Sequence, residues 1–177
     1  MLAFDTETTG LLRPEATEIS LQPYIIELYI AKFDDEFKVY DEFETFLKPP
    51  VPLPEEITKI TGIDEQMLAD APEFIEIYDD LCELVLGERS IFAHNCSFDI
   101  SMLRNELYRH GLDYQFPWPK NHYCTVELSK PIKNKRMKLA ELYKMATGKE
   151  IINAHRAKND VLPTIECIKF LKDEGFL

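Results

Sequence analysis

The clearest pattern in the chain is the run from Tyr24 to Phe33. Rich in β-branched and aromatic residues, it predicts a strand. Asp34-Asp35 supplies a turn, after which Phe37, Val39, Phe43 and Phe46 partly alternate with polar residues, so a hairpin is expected. Ahead of this pair, Met1 to Asp5 is a short apolar run that meets a turn signal at Thr8-Thr9-Gly10 and reads as a buried strand. A loop through Arg13-Pro14, ending at Pro23, joins the two. The cluster Pro49, Pro50, Pro52 and Pro54 excludes regular structure and delivers the chain into helical patterns.

Ile57, Ile60 and Thr61-Gly62 predict a short helix closed by glycine. Phe74, Ile77, Tyr78, Leu81, Leu84 and Val85 keep a period near 3.6 and predict one amphipathic helix. Ser90 to His94 is a short buried strand. It leads into a helix with Met102, Leu103, Leu107 and Tyr108 on its inner face. His122 to Thr125 suits another short strand. Leu139, Leu142, Tyr143 and Ala146 mark a helix ending at Gly148, and Val161, Ile165, Ile168 and Leu171 mark the last. A meander of strands followed by strands interleaved with helices predicts an α/β domain with a mixed sheet. At 177 residues, the chain reads as one domain, 1–177.

With 20 Lys plus Arg against 32 Asp plus Glu, the net charge is −12. That excludes a strongly basic, free-standing nucleic-acid binder, but not a nuclease whose positive charge comes from metal ions. No apolar run approaches the ~20 residues of a bilayer span, and Asp5 arrives too early for a signal peptide, so a soluble, cytoplasmic protein with no membrane partner is expected. Cys82, Cys96, Cys124 and Cys167 have no zinc-ligand spacing and read as ordinary small residues.

Chemistry enters through the acids. Asp5 and Glu7 are two apart, so on a strand their carboxylates share one face. Held close, they repel unless a cation sits between them, and hard oxygen ligands suit Mg²⁺ or Mn²⁺. Asp99 lies about one turn into the helix after the strand at Ser90; the same position also serves to stabilise a helix start. His155 and Asp160 are five apart, ~140° around an unbroken helix, so a shared site requires His155 to precede the helix or lie on its first turn.

In chain order the segments Phe4-Asp5-Thr6-Glu7-Thr8-Thr9-Gly10, His94-Asn95-x-x-Phe98-Asp99 and His155-Arg156-Ala157-x-x-Asp160 resemble the motifs of the DEDDh (DnaQ-like) 3′→5′ exonucleases. Ile60-Thr61-Gly62-Ile63 resembles a further turn of that family, which includes proofreading polymerase subunits, such as the epsilon subunit of DNA polymerase III, and RNA-trimming enzymes. The resemblance spans nearly the whole chain. It implies a ribonuclease H-like fold, a mixed five-stranded sheet flanked by helices, and hydrolysis of the terminal phosphodiester with two divalent cations, Mg²⁺ or Mn²⁺.

It further implies that Asp5 bridges both ions, that Glu7 and Asp160 hold the one carrying the attacking water, and that Asp99 serves the other. His155 takes the place of the general base. Backbone groups around Thr6, Glu7 and Thr8 line the terminal nucleotide, and Asn95 and Phe98 shape the site; Phe98 equally suits the core. Lys130, Lys133, Lys135, Arg136 and Lys138 form the one concentrated basic stretch, and Lys135 and Arg136 are candidates to track a single strand. The expected substrate is the 3′ end of single-stranded or frayed DNA, in proofreading beside a DNA polymerase or alone. RNA 3′ ends, or a catalytically inactive nucleic-acid-binding scaffold of the same fold, are the alternatives.

Overall fold

The structure, a computed structural model, describes residues 1–152 and 155–177. Five strands form one sheet in the order β3-β2-β1-β4-β5. β1 (Leu2–Thr8), β2 (Ile25–Phe33) and β3 (Val39–Phe46) form an antiparallel meander. β4 (Ser90–Ala93) and β5 (Asn121–Cys124) add parallel to β1, giving the mixed sheet. The fold is the expected mixed five-stranded sheet flanked by helices.

Alternation along the central strands builds two cores. Leu2 and Phe4 of β1, Leu28 and Ile30 of β2, and Ile91 and Ala93 of β4 face one layer, filled by α3 (Tyr78–Val85) and α4 (Cys96–Arg109). Ala3, Tyr29, Ala31, Phe33 and Phe92 face the other, covered by Val161, Ile165 and Ile168 of α7 (Ala157–Asp173). Because β2 is buried on both faces, its sequence is nearly continuously apolar rather than alternating. Between β3 and α3 lie α1 (Glu55–Thr61), closed as expected by Gly62 with φ 73°, and a single turn, α2 (Glu65–Leu68).

Several elements differ from the sequence reading. The stretch from Phe74 is not one helix: a 3₁₀ turn over Phe74–Ile77, opened by a reciprocal Glu73–Glu76 capping box, precedes α3. Tyr108 points outward at 50% exposure, one residue beyond the buried Leu107. Thr125 does not extend β5 but starts α5 (Thr125–Lys133), so Lys130 and Lys133 of the basic stretch are helical. Phe37 lies outside β3 with φ 64° and stacks on Phe33. The loop before Pro23 carries a 3₁₀ turn at Ile19–Leu21. α6 (Leu139–Thr147) ends at Gly148, as its pattern predicts, and packs with α7 through Leu142, Cys167 and Leu171. No helix among the described residues is long and apolar enough to cross a membrane.

Candidate metal centre

The site grows from the parity of β1. Ala3, Asp5 and Glu7 point toward α7, whereas Leu2, Phe4 and Thr6 point toward α4. Asp160, the fourth residue of α7, completes the first set: carboxylate oxygens of Asp5, Glu7 and Asp160 lie within 4.8 Å of one another. β1 runs to Thr8, so the two acids sit within the strand rather than after it.

Asp99, the fourth residue of α4, lies outside that trio and approaches from the other face of β1. The register explains how it reaches the strand. β4 pairs with β1 only at Leu2 and Ala3, which leaves the β1 edge open beyond Ala3. Asp99 fills the gap: its Oδ1 accepts from the Thr6 backbone N–H at 3.1 Å and from Thr6 Oγ1 at 2.8 Å. The Asp99 side chain is buried, at 2% exposure for the residue.

Electrostatics show what this arrangement costs. Burial, and then the charges of Asp99, Asp160 and Glu7, hold the Asp5 carboxyl well above the usual carboxylate range. Burial, with Asp160, Glu27 and Asp99, pushes Glu7 up to about 8, against a smaller opposing pull from Arg156. Burial also raises Asp99, although the two Thr6 bonds oppose it. Asp160 is raised by burial, and a bond from the His155 N–H opposes the rise. Like charges gathered at low exposure are expensive, and a divalent cation among hard oxygen donors removes the repulsion. By charge and donor type, Asp5, Glu7 and Asp160 therefore fit a hard divalent cation rather than a soft-ligand metal.

His155 lies just before α7, as its spacing from Asp160 required. It is exposed, holds the left-handed φ of 68°, and donates its backbone N–H to Asp160 Oδ2 at 3.2 Å. Asn95 caps α4 with φ 69°, and its Oδ1 accepts from Arg136 Nη2 at 2.9 Å, so the basic stretch touches the start of α4, one turn before Asp99. Lys135 is farther along and binds Glu141, as does Lys133. Phe98 is half-buried against the α3–α4 core, and Thr8 spends its hydroxyl on the Gly10 carbonyl at 2.7 Å. His94 is half-buried, and the loss of solvent pushes it down to about 4, with Nδ1 2.8 Å from Thr125 Oγ1.

One neighbour of the site was missed in the sequence reading. Glu27, opposite Glu7 in the β1–β2 ladder, is 1% exposed and binds Arg156 through Nε and Nη2, at 3.0 and 2.7 Å. The visible signal was a lone acid inside the apolar run of β2.

Residues 2–168 match the family model of the RNase_T exonucleases. PolC-type DNA polymerases III are similar over nearly the whole chain. The Caldanaerobacter subterraneus protein is 34% identical over 97% of this chain, and the Clostridium perfringens protein 31% over 96%; the match takes in 11% of each relative. The chain thus spans about a tenth of the length of the curated relatives it matches. Among solved structures, exonuclease X with 5′-overhanging duplex DNA aligns at TM-score 0.66 and 22% identity, covering 98% of this chain and 92% of that one. Exonuclease I aligns at TM-score 0.78 and 24% identity, covering 97% and 40%. A 3′-exonuclease that recognises the histone mRNA stem-loop aligns at 0.79 and 16%, covering 99% and 64%. These likenesses show a shared fold, and the family match over most of its length shows that the chain belongs to the RNase_T family of DnaQ-like exonucleases.

Proposed function

We propose that residues 1–177 form a single exonuclease domain that removes nucleotides from the 3′ end of single-stranded or frayed DNA by metal-dependent phosphodiester hydrolysis. The observation that carries this reading is the convergence of Asp5, Glu7 and Asp160 within 4.8 Å at the start of α7, beside His155. Asp5, Glu7 and Asp160 would hold one divalent cation, and Asp5 and Asp99 would serve a second. When bound, the cations supply Lewis acidity and offset charge on the phosphate oxygens.

The chain's own groups do the rest. His155 takes the proton of the water that attacks the terminal phosphorus; the bond from phosphorus to the 3′ oxygen of the preceding nucleotide breaks, that oxygen takes a proton from solvent to leave a 3′-hydroxyl, and a 5′-mononucleotide is released. The exposed place of His155 before α7 admits a water, and a positioned histidine is the commonest general base. The β1 backbone from Thr6 to Thr8 lines the terminal nucleotide, while Asn95 and Phe98 form the adjoining wall. Arg136 guides the strand at Asn95, with Lys135 behind it.

DNA is favoured by the PolC-type relatives, which also support a proofreading role beside a polymerase. RNA is the second reading, supported by the likeness to the histone mRNA 3′-exonuclease. The deciding experiment incubates the purified protein with 3′- and 5′-labelled DNA and RNA oligomers in Mg²⁺, Mn²⁺ or chelator. Ladders that shorten from the 3′ end, on DNA and only with metal, are expected. Intact oligomers of both kinds in either metal refute the proposal, and shortening of RNA alone transfers it to the second reading.

A further inference from the structure

Glu27 presents a problem that its surroundings resolve. On an antiparallel ladder, directly opposite like charges destabilise the pair, yet Glu27 stands opposite Glu7, almost without exposure. Its charge also raises the Glu7 and Asp5 carboxyls, so it belongs to the same electrostatic neighbourhood. It is not one of the converging trio of acids. Instead, Arg156 Nε lies 3.0 Å from Oε1 and 3.2 Å from Oε2, Nη2 lies 2.7 Å from Oε1, and the Ala157 backbone N–H donates to Oε2 at 3.0 Å.

These bonds fix the two residues at which α7 begins. Asp160 follows within that first turn, its backbone N–H bonding the Arg156 carbonyl at 3.1 Å and its side chain bonding the His155 N–H. The Arg156 guanidinium is thereby oriented over Phe46, 5.2 Å from the ring centre, with its side chain one-third exposed at the rim of the acid cluster. Released from Glu27, this cation would be left to the charges of Glu44, already bound by Lys158, and of Glu7, both of which act on it; at Glu7 it would compete with a divalent ion.

We propose that Glu27 is a positioning residue that holds Arg156 away from the metal-binding acids and seats the start of α7, thereby maintaining divalent-cation affinity. This rests on the metal-centre reading above. Glu27→Gln keeps the shape and an acceptor for the Ala157 N–H but removes the charge. Glu27→Gln/Arg156→Met removes both charges, a replacement that buried ion pairs often tolerate. Manganese binding to the full chain is measured by titration calorimetry, alongside the rise in melting temperature caused by Mn²⁺.

The expected result is about a 10–100-fold weaker Mn²⁺ affinity in Glu27→Gln, the range for residues behind metal ligands, with recovery to within about threefold of wild type in the double variant. Wild-type affinity in Glu27→Gln overturns the proposal, as does a double variant as weak as the single. If Glu27→Gln fails to fold, the double variant decides: near-wild-type affinity supports the role, and a loss of tenfold or more overturns it. Asp5→Asn separates the two levels of argument. If it binds Mn²⁺ like wild type, the metal-centre reading itself fails; if it alone loses binding, only the Glu27 proposal fails.

Discussion

Neutralising Glu7 isolates the cost of assembling the acid trio. Burial and the neighbouring acids raise its pKa from 4.5 to about 8. A carboxyl raised on folding contributes stability that is fully present below about 4.5 and is lost as pH rises to about 8. His94 acts in the opposite sense: lowered from 6.5 to about 4, it contributes stability present above 6.5 and lost as pH falls toward 4. The interval from pH 6.5 to 8 therefore separates His94 from the acids, with the trio and Asp99, raised to about 7, changing in the direction that weakens the fold; Asp99 is common to wild type and a Glu7 variant.

One proton held by the folded state and not by the unfolded one costs about 1.4 kcal/mol of stability per pH unit. Across this interval the cost is about 2 kcal/mol, which solvent screening at a partly exposed group and proton sharing with Asp5 and Asp160 reduce to about 1. For a chain of this size that is a fall of roughly 2–4 °C in melting temperature. Thermal melts by circular dichroism in chelator, at steps from pH 6.5 to 8, should show wild type falling by this amount more than Glu7→Gln. Saturating Mn²⁺ should abolish the wild-type fall, because the ion binds the ionised acids. Parallel melting curves for the two proteins in chelator would show that Glu7 is already ionised at pH 6.5, and the account of mutual repulsion would be wrong.

Three further outcomes follow from the proposed roles. His155→Ala should lower turnover at saturating metal by at least ~100-fold with an unchanged melting temperature, and near-normal turnover removes the general-base assignment. Asp5→Ala should abolish metal-dependent hydrolysis, measured as nucleotide release; persistent release refutes its bridging place. Reversing Lys135 and Arg136 to glutamate should flatten the dependence of KM on salt, since each phosphate contact contributes to that slope, and an unaltered slope shows that neither touches the strand.

The period-two placement of Asp5 and Glu7 was legible because it depends on local geometry alone, and the position of His155 outside the last helix because helical spacing forbids it a site shared with Asp160 otherwise. The pairing of Asp99 with Thr6 was not, since it requires β4 to end its ladder at Ala3, a register that no local pattern records. Arg156 stood in a recognisable motif, but its partner lies 129 residues away on a strand whose apolar neighbours drew attention from the single acid. α5 was hidden by its lysines and by Pro131, although Val126, Ser129 and Ile132 keep helical spacing. The helix expected from Phe74 to Val85 was divided because periodicity does not distinguish a 3₁₀ turn from the first turn of an α-helix.

Both helix-borne acids occupy the fourth position of their helices, Asp99 in α4 and Asp160 in α7, and they approach β1 from opposite faces. A first-turn position sets each carboxylate near the positive end of a helix dipole, a stabilisation of roughly 0.3–1 kcal/mol that favours the ionised form. Burial outweighs it in both, for each is raised overall. The fold thus lowers the cost of the acid cluster without removing it, and the remainder is what a divalent cation offsets on binding. Moving Asp160 one residue along α7 would turn it ~100° away from β1, so the centre depends on where α7 starts as much as on the acids themselves. That start is set by the Glu27 bonds to Arg156 and Ala157, which places control of the site on a strand that contributes none of the three converging carboxylates.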